Sequence, residues 1–188
     1  MNKNLKDETN NGPVNYSCAA LSPEVEALSL INNFVKKNGL TPRSQRDNRS
    51  LAFQILYAID RCEYMLSPEE VVEGFVQSYG LKVDYDSFAF ALLEGTLNNL
   101  EAADLEISKF LENWVDSRVS CTVRILLRMA IWEINFAQTP VKAVLDEYIE
   151  LAKGFGEKDS FRIINGILDA YIKSRTCERD FVQEQMLI

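Results

Sequence analysis

Histidine is absent from the 188 residues, which removes the commonest general acid–base group together with the commonest metal ligand. Glycine-rich phosphate loops, a nucleophile elbow and HExxH-type pairs are missing too, so the pattern points away from an enzyme and from any bound cofactor or metal. The four cysteines, Cys18, Cys62, Cys121 and Cys177, are widely scattered and show no CxxC spacing. That spacing argues against a zinc knuckle and leaves buried or free thiols in a reducing compartment. No apolar run approaches the roughly 18–20 residues that span a bilayer. The N-terminal residues also lack the basic start and continuous apolar stretch of a secretory signal. A cytoplasmic protein with no membrane partner is therefore expected. Sustained strand alternation bounded by turn dipeptides does not occur either.

What the chain does have is helical punctuation. A hydrophobic content of 47% over 188 residues supports one core, and folding at this size hides on the order of 70% of the extended chain's surface. Four of the five prolines follow a hydroxyl residue: Ser22-Pro23, Thr41-Pro42, Ser67-Pro68 and Thr139-Pro140. Each pair reads as an N-cap followed by proline at the first helical position, where its missing N–H is harmless. Further helices are expected over Pro68–Tyr79, Asp84–Asn98, Leu100–Trp114 and Val119–Phe136. The fold class is all-α, a bundle of about seven core helices over residues 43–175. Residues 1–20 are polar and expected to be disordered, and 176–188 form a short tail. Residues 21–42 hold an extra amphipathic helix and its linker. Its apolar positions are Val25, Leu28, Ile31 and Val35, and Gly39 stops it. This helix either packs on the core or serves docking or self-association.

The last third carries the densest pattern. RILLRMAIWEI (124–134) is apolar nearly all round, as the buried centre of a bundle must be. TPVKAVLDEYIELAKGFG (139–156) closes on Gly154 and Gly156, residues that tolerate a left-handed C-cap. The next helix starts at Asp159-Ser160, with Phe161, Ile164, Leu168, Tyr171 and Ile172 along one face. A glycine inside it, Gly166, is expected where two helices approach closely. On the central helix Arg124, Arg128 and Asn135 fall within about 40° of one another. Glu133 lies opposite them, among apolar residues, so a cation or hydroxyl from another helix must hold it.

Arg43, Arg46 and Arg49 stand at the front of a helix whose apolar face is Ala52, Phe53, Leu56 and Ile59. Cations there oppose the macrodipole by about 0.3–1 kcal/mol each at a surface. Two readings follow: an anion such as phosphate fills the gap, or the arginines are a solvated face partly neutralised by Asp47. Tyr57, two turns on, is equally suited to stacking on a base or to the core.

Several of these residues match at fixed spacing. They are Leu127-Arg128-Met129-Ala130 with Trp132-Glu133, Pro140-x-Lys142, and Asp146-Glu147-x-x-Glu150-Leu151-Ala152-Lys153-x-Phe155-Gly156. Asp159-Ser160 and Asn165-Gly166-Ile167-Leu168-Asp169 follow. With Arg46-x-x-Arg49 leading into Ala52, Gln54, Leu56 and Tyr57, the chain resembles the NusB family of bacterial transcription antitermination factors over roughly residues 43–174.

The resemblance implies an adaptor without a catalytic step, which binds boxA-like RNA together with NusE, a basic small-subunit ribosomal protein, and acts on the transcription elongation complex. Arg43, Arg46, Arg49 and Tyr57 are then the RNA-contacting candidates, with Lys158, Asp159 and Arg162 at the start of the last helix. Asp159 and Ser160 also suffice as an ordinary helix cap. Arg118, Arg124 and Arg128 are the candidates for the NusE face, although the acidic rims at Glu101, Asp104 and Glu112 suit a basic partner better. Association with a second copy is a further expectation. The chain departs from the family at Gln45 and Asp47, where more arginines are usual, and its net charge of −8 opposes long-range attraction to RNA. Binding should therefore be weak alone and stronger beside the basic partner. A self-associating or protein-binding scaffold with little RNA affinity is the rival reading. The NusB-like appendage of an rRNA cytosine methyltransferase is disfavoured, because 188 residues leave no room for the cofactor domain.

Overall fold

Seven helices account for nearly all of the described chain in the computed structural model, which describes residues 42–79, 84–111 and 119–185. They are α1 (Gln45–Arg61), α2 (Pro68–Tyr79), α3 (Phe88–Leu97), α4 (Leu100–Leu111), α5 (Cys121–Phe136), α6 (Val141–Phe155) and α7 (Ser160–Gln185). Among the described residues there is no strand. The expected polar tail, the extra helix over 22–38 and the partner candidate Arg118 lie outside the described residues.

Helix α5 is the axis. It packs against α1, α3, α4, α6 and α7, and this explains why its sequence is apolar on nearly every side. Leu126, Leu127, Met129 and Ala130 are completely buried there. Helices α1 and α3 close one flank, where Phe53, Leu92 and Leu93 are buried, and α2 rests on α1. Helices α6 and α7 close the other flank through Val144, Tyr148, Ile164 and Leu168, with α4 bridging α5 and α7. The result is one continuous apolar core.

The helix ends refine the proline pattern. Ser67 and Glu70 form a reciprocal cap at the start of α2: the Glu70 N–H donates to the Ser67 hydroxyl at 3.2 Å and the Ser67 N–H to the Glu70 carboxylate at 2.8 Å. Thr41-Pro42 does not start α1. Ser44 does, because its hydroxyl accepts the Asp47 N–H while the Asp47 carboxylate accepts the Ser44 N–H at 3.0 Å. Helix α3 starts later than Asp84, since the Asp84 carboxylate holds the turn by accepting the Asp86 N–H at 3.1 Å. Helix α7 runs past the boundary expected at 175, to Gln185.

The glycines are corrected as well. Gly156 ends α6 with extended geometry (φ −91°, ψ 173°), not left-handed, and Gly154 lies inside the helix. Glycine is required at 156 because a Cβ would stand 2.6 Å from both the Ala152 carbonyl and the Ser160 Cβ at the α6–α7 corner. Gly166 is not a close-approach site, since a Cβ there meets nothing within 4 Å. The close approach occurs at Gly95 of α3, against which the Trp132 indole lies within 2.0 Å of where a Cβ would be.

Candidate nucleic-acid interface

The arginines at the front of α1 do not act as one cluster. Successive positions three apart drift around the helix, so Arg46 points outward and Arg49 inward. Arg49 is 4% exposed and donates through Nε to Glu133 Oε2 at 2.9 Å and through Nη2 to Glu133 Oε1. Its guanidinium lies 5.4 Å from the centre of the Phe88 ring. The Tyr148 hydroxyl donates to the same Glu133 carboxylate at 3.1 Å. Glu133 is thus held by both a cation and a hydroxyl, as its position on the apolar side of α5 demanded. Burial opposes the Arg49 charge, but the hydrogen bond and charge of Glu133 hold its pKa above the ordinary value. Burial, with the Glu133 charge, likewise pushes the Tyr148 phenol far up, so it stays a donor. This triad ties α1, α5 and α6 together, and the Phe88 ring against Arg49 adds α3. Arg49 is therefore a bundle anchor, and its guanidinium is not presented to an outside phosphate.

Arg46 is 56% exposed and makes a two-pronged pair with Glu147 of α6, Nε to Oε2 at 2.9 Å and Nη2 to Oε1 at 2.8 Å. The hydrogen bond from Arg46, with its charge, holds the Glu147 carboxyl below the usual range. The basic cluster is accordingly compensated from within. Asp47 occupies the helix N-terminus, and two carboxylates from other helices take the two guanidinium forks. Arg43 is exposed, and its own N–H donates to Asp47 at 3.0 Å.

A connected surface leads from Arg46 to the second sequence-derived region. Glu150 lies next in the field of Arg46 and accepts from Lys153 Nζ at 2.6 Å. Lys153 Nζ is 5.8 Å from the Phe161 ring centre, and the Arg162 guanidinium is 5.6 Å from the same ring. Arg162 is 71% exposed and pairs loosely with Asp159 at 3.4 Å, and Lys158 is exposed beside them. A chain of neighbours therefore runs from Arg46 through Glu147, Glu150, Lys153 and Phe161 to Arg162 and Asp159, while Arg43 and Lys158 are exposed close to its two ends in the sequence. Tyr57 is half-buried and packs on Phe53 (5.9 Å), whose ring meets Phe155 (4.7 Å) just before the α6–α7 corner. Sequence reasoning missed Glu147, Glu150, Lys153 and Phe161 as members of this surface. The spacing of Glu147, Glu150 and Lys153 by threes along one helix edge was the available signal.

The arginine stripe of α5 divides in the same way. Arg128 is 8% exposed and donates to both Asp104 carboxylate oxygens at 2.7 Å and to the Tyr64 hydroxyl at 3.0 Å. It is neither a solvated group nor one that a partner can reach, because its donors are spent joining α5 to α4 and to the turn after α1. Arg124 is exposed. A different surface on the far side of α5 has the character of a protein contact. Leu105 (64% exposed) and Phe136 (63%) flank a cleft of about 250 Å³ that includes Trp132, Tyr171 and Arg175. The neighbouring edge of α4 carries Glu101 and Glu106.

Among the described residues no helix is long and apolar enough to cross a membrane, and no group of three or more candidate metal ligands occurs. The family model described as NusB family matches residues 46–173. The transcription antitermination protein NusB of Oleidesulfovibrio alaskensis is 36% identical over 141 residues, covering 70% of this chain and 88% of that protein. Among solved structures, NusB of T. maritima superposes with a TM-score of 0.61 at 29% identity, covering 71% of this chain and 93% of the other. A structure of the antitermination factors NusB and NusE in complex with double-stranded RNA shares the fold, with a TM-score of 0.59 at 24% identity over 71% of this chain and 99% of that one. By the family model over residues 46–173 and the 36% identity to the Oleidesulfovibrio relative, the chain belongs to the NusB family.

Proposed function

We propose that this protein is a transcription antitermination factor which binds single-stranded boxA-like RNA along the α1–α6–α7 junction, together with a NusE-type ribosomal protein. The observation that carries the RNA site is the continuous edge from Arg46 to Arg162, where two cations flank the half-buried Phe161 ring. Single-stranded RNA is recognised through phosphates and through bases stacked on aromatic or guanidinium planes, and this edge offers both. Arg43, Arg46, Lys158 and Arg162 are assigned to phosphates. Asp159 tempers Arg162. The relative with NusE and RNA in its solved complex supports the pairing of partners.

The protein partner is assigned to the mixed apolar and polar cleft around Leu105, Trp132 and Phe136. Interface cores favour exposed aromatic and aliphatic groups, and the carboxylates of Glu101 and Glu106 complement a basic protein. The two surfaces lie on different sides of α5, so RNA and protein can be held at once in the elongation complex. No catalytic step is involved, and the site of action is the bacterial cytoplasm, where transcription occurs.

Fluorescence anisotropy with a labelled boxA RNA tests the assignment. Each lost single-strand phosphate contact should flatten the slope of log K against log salt by about 0.7. Replacing Arg43, Lys158 and Arg162 together by alanine should therefore weaken binding and flatten the slope by roughly 2. An unchanged slope would remove RNA from this edge and favour the protein-scaffold reading.

A further inference from the structure

The carboxylate that closes on Arg46 has a consequence for binding. A guanidinium fork engaged by both oxygens of one carboxylate has the geometry with which it would grip a phosphate. The side-on fork formed by Nε and Nη2 is already given to Glu147, so a phosphate can take that fork only in place of the carboxylate, with the Nη1 donors left for other contacts. The pair stands at the surface, with Glu147 only 23% exposed on α6 and the Arg46 side chain 56% exposed and open to an outside anion. Glu150 adds a second negative charge within the field of the same guanidinium.

We propose that Glu147 is an affinity-setting residue: it acts as an internal stand-in for an RNA phosphate, and RNA must displace it to take the Nε–Nη2 fork of Arg46. This rests on the reading of the α1–α6–α7 edge as an RNA surface. The exchange is intramolecular on one side and leaves in place the hydrogen bonds by which Arg49 and Tyr148 hold Glu133 in the core. It also bears on salt dependence. When Arg46 moves to a phosphate, the released carboxylate takes up a cation, and this offsets part of the counterion release that drives association.

The test uses the full chain, with Glu147→Gln, Arg46→Ala and the double variant, titrated against a fluorescein-labelled boxA RNA and against oligouridine of equal length. Glutamine keeps the size and the helix propensity, and thermal melts followed by circular dichroism establish that each variant folds. Exposed ion pairs are worth little, so the expected gain for Glu147→Gln is about two- to fivefold in RNA affinity, with a steeper salt slope than the parent. In the Arg46→Ala background the same change should gain less than about 1.5-fold, because its route to RNA is gone. If Glu147→Gln leaves affinity unchanged or lowers it while the parent binds RNA, the stand-in role is wrong and the RNA surface survives. If the gain is as large without Arg46, Glu147 acts only as a repelling charge, and the proposal again fails. If neither protein shows salt-dependent binding to either RNA, the RNA surface itself is refuted and this inference falls with it.

Discussion

Replacing Arg49 by alanine should damage the fold far more than replacing Arg46, although the two residues share one segment and one charge. Arg49 and Glu133 have side chains 5% and 0% exposed, whereas Arg46 is 56% exposed. Removing one member of a buried pair strands the other charge and costs about 3–5 kcal/mol, whereas a surface pair contributes about 0–1 kcal/mol. The Tyr148 hydroxyl would be the remaining donor of the triad to Glu133, and it cannot supply a charge. For a domain of this size a loss of 3–5 kcal/mol lowers the melting temperature by roughly 6–20 °C. Urea unfolding monitored by circular dichroism gives the free energy directly. The double change Arg49→Met with Glu133→Leu supplies the control, because exchanging a whole buried pair for apolar groups is often neutral or stabilising. If Arg49→Ala costs less than about 1 kcal/mol, or the double variant is as unstable as the single, the triad is not what anchors α1. Such a result would also return Arg49 to the outer surface and to the RNA.

Three further outcomes are expected. Gly95→Ala should destabilise by about 1–3 kcal/mol and change Trp132 fluorescence, because the new Cβ occupies the place of the indole, while Gly166→Ala, facing open space, should stabilise by up to about 1 kcal/mol. Equal melting temperatures for the two would contradict the packing at Gly95. Burial, reinforced by the Asp60 carboxylate that accepts its S–H at 2.9 Å, pushes the Cys121 thiol up to about 12. The native thiol then keeps its proton where an unfolded one loses it, so this contribution to stability is complete below about pH 9 and declines as pH rises toward 12. Alkylation of Cys121 at pH 9 should accordingly be much slower in the native protein than in urea, and equal rates would refute the assignment. Arg128→Ala should lower stability by about 1–3 kcal/mol through its contacts to Asp104 and Tyr64. A normal melting curve with impaired partner binding would instead place Arg128 at the interface.

The bundle was legible in the sequence because its determinants are local. Apolar residues at helical spacing and hydroxyl–acid pairs such as Ser67 with Glu70 act within one or two turns. The misplaced start of α1 has the same origin. Thr41-Pro42 carries the hydroxyl–proline signal of a helix start, yet it is Ser44 with Asp47 that closes both hydrogen bonds of a capping box. The functional surface was legible only by half, because its decisive contacts join helices distant in the chain. Arg49 reaches Glu133 across 84 positions and Arg46 reaches Glu147 across 101. The position of Glu133 on the apolar side of α5 did require a partner, since an unpaired buried charge is prohibitive. Which of the cations would supply it depends on how α1 crosses α5, and no periodicity encodes that angle.

The same dependence explains how a chain with net charge −8 can present an RNA edge at all. Carboxylates from α6 and α7 sit beside the outward arginines, so the surface is neutral on average and its attraction is short-ranged. Such a surface does not draw RNA from a distance. Under the proposed assignment it grips an RNA already delivered, and a basic partner at Glu101 and Glu106 would be the natural means of delivery. Acidity is then an argument for cooperation between protein and RNA partners, not against RNA binding.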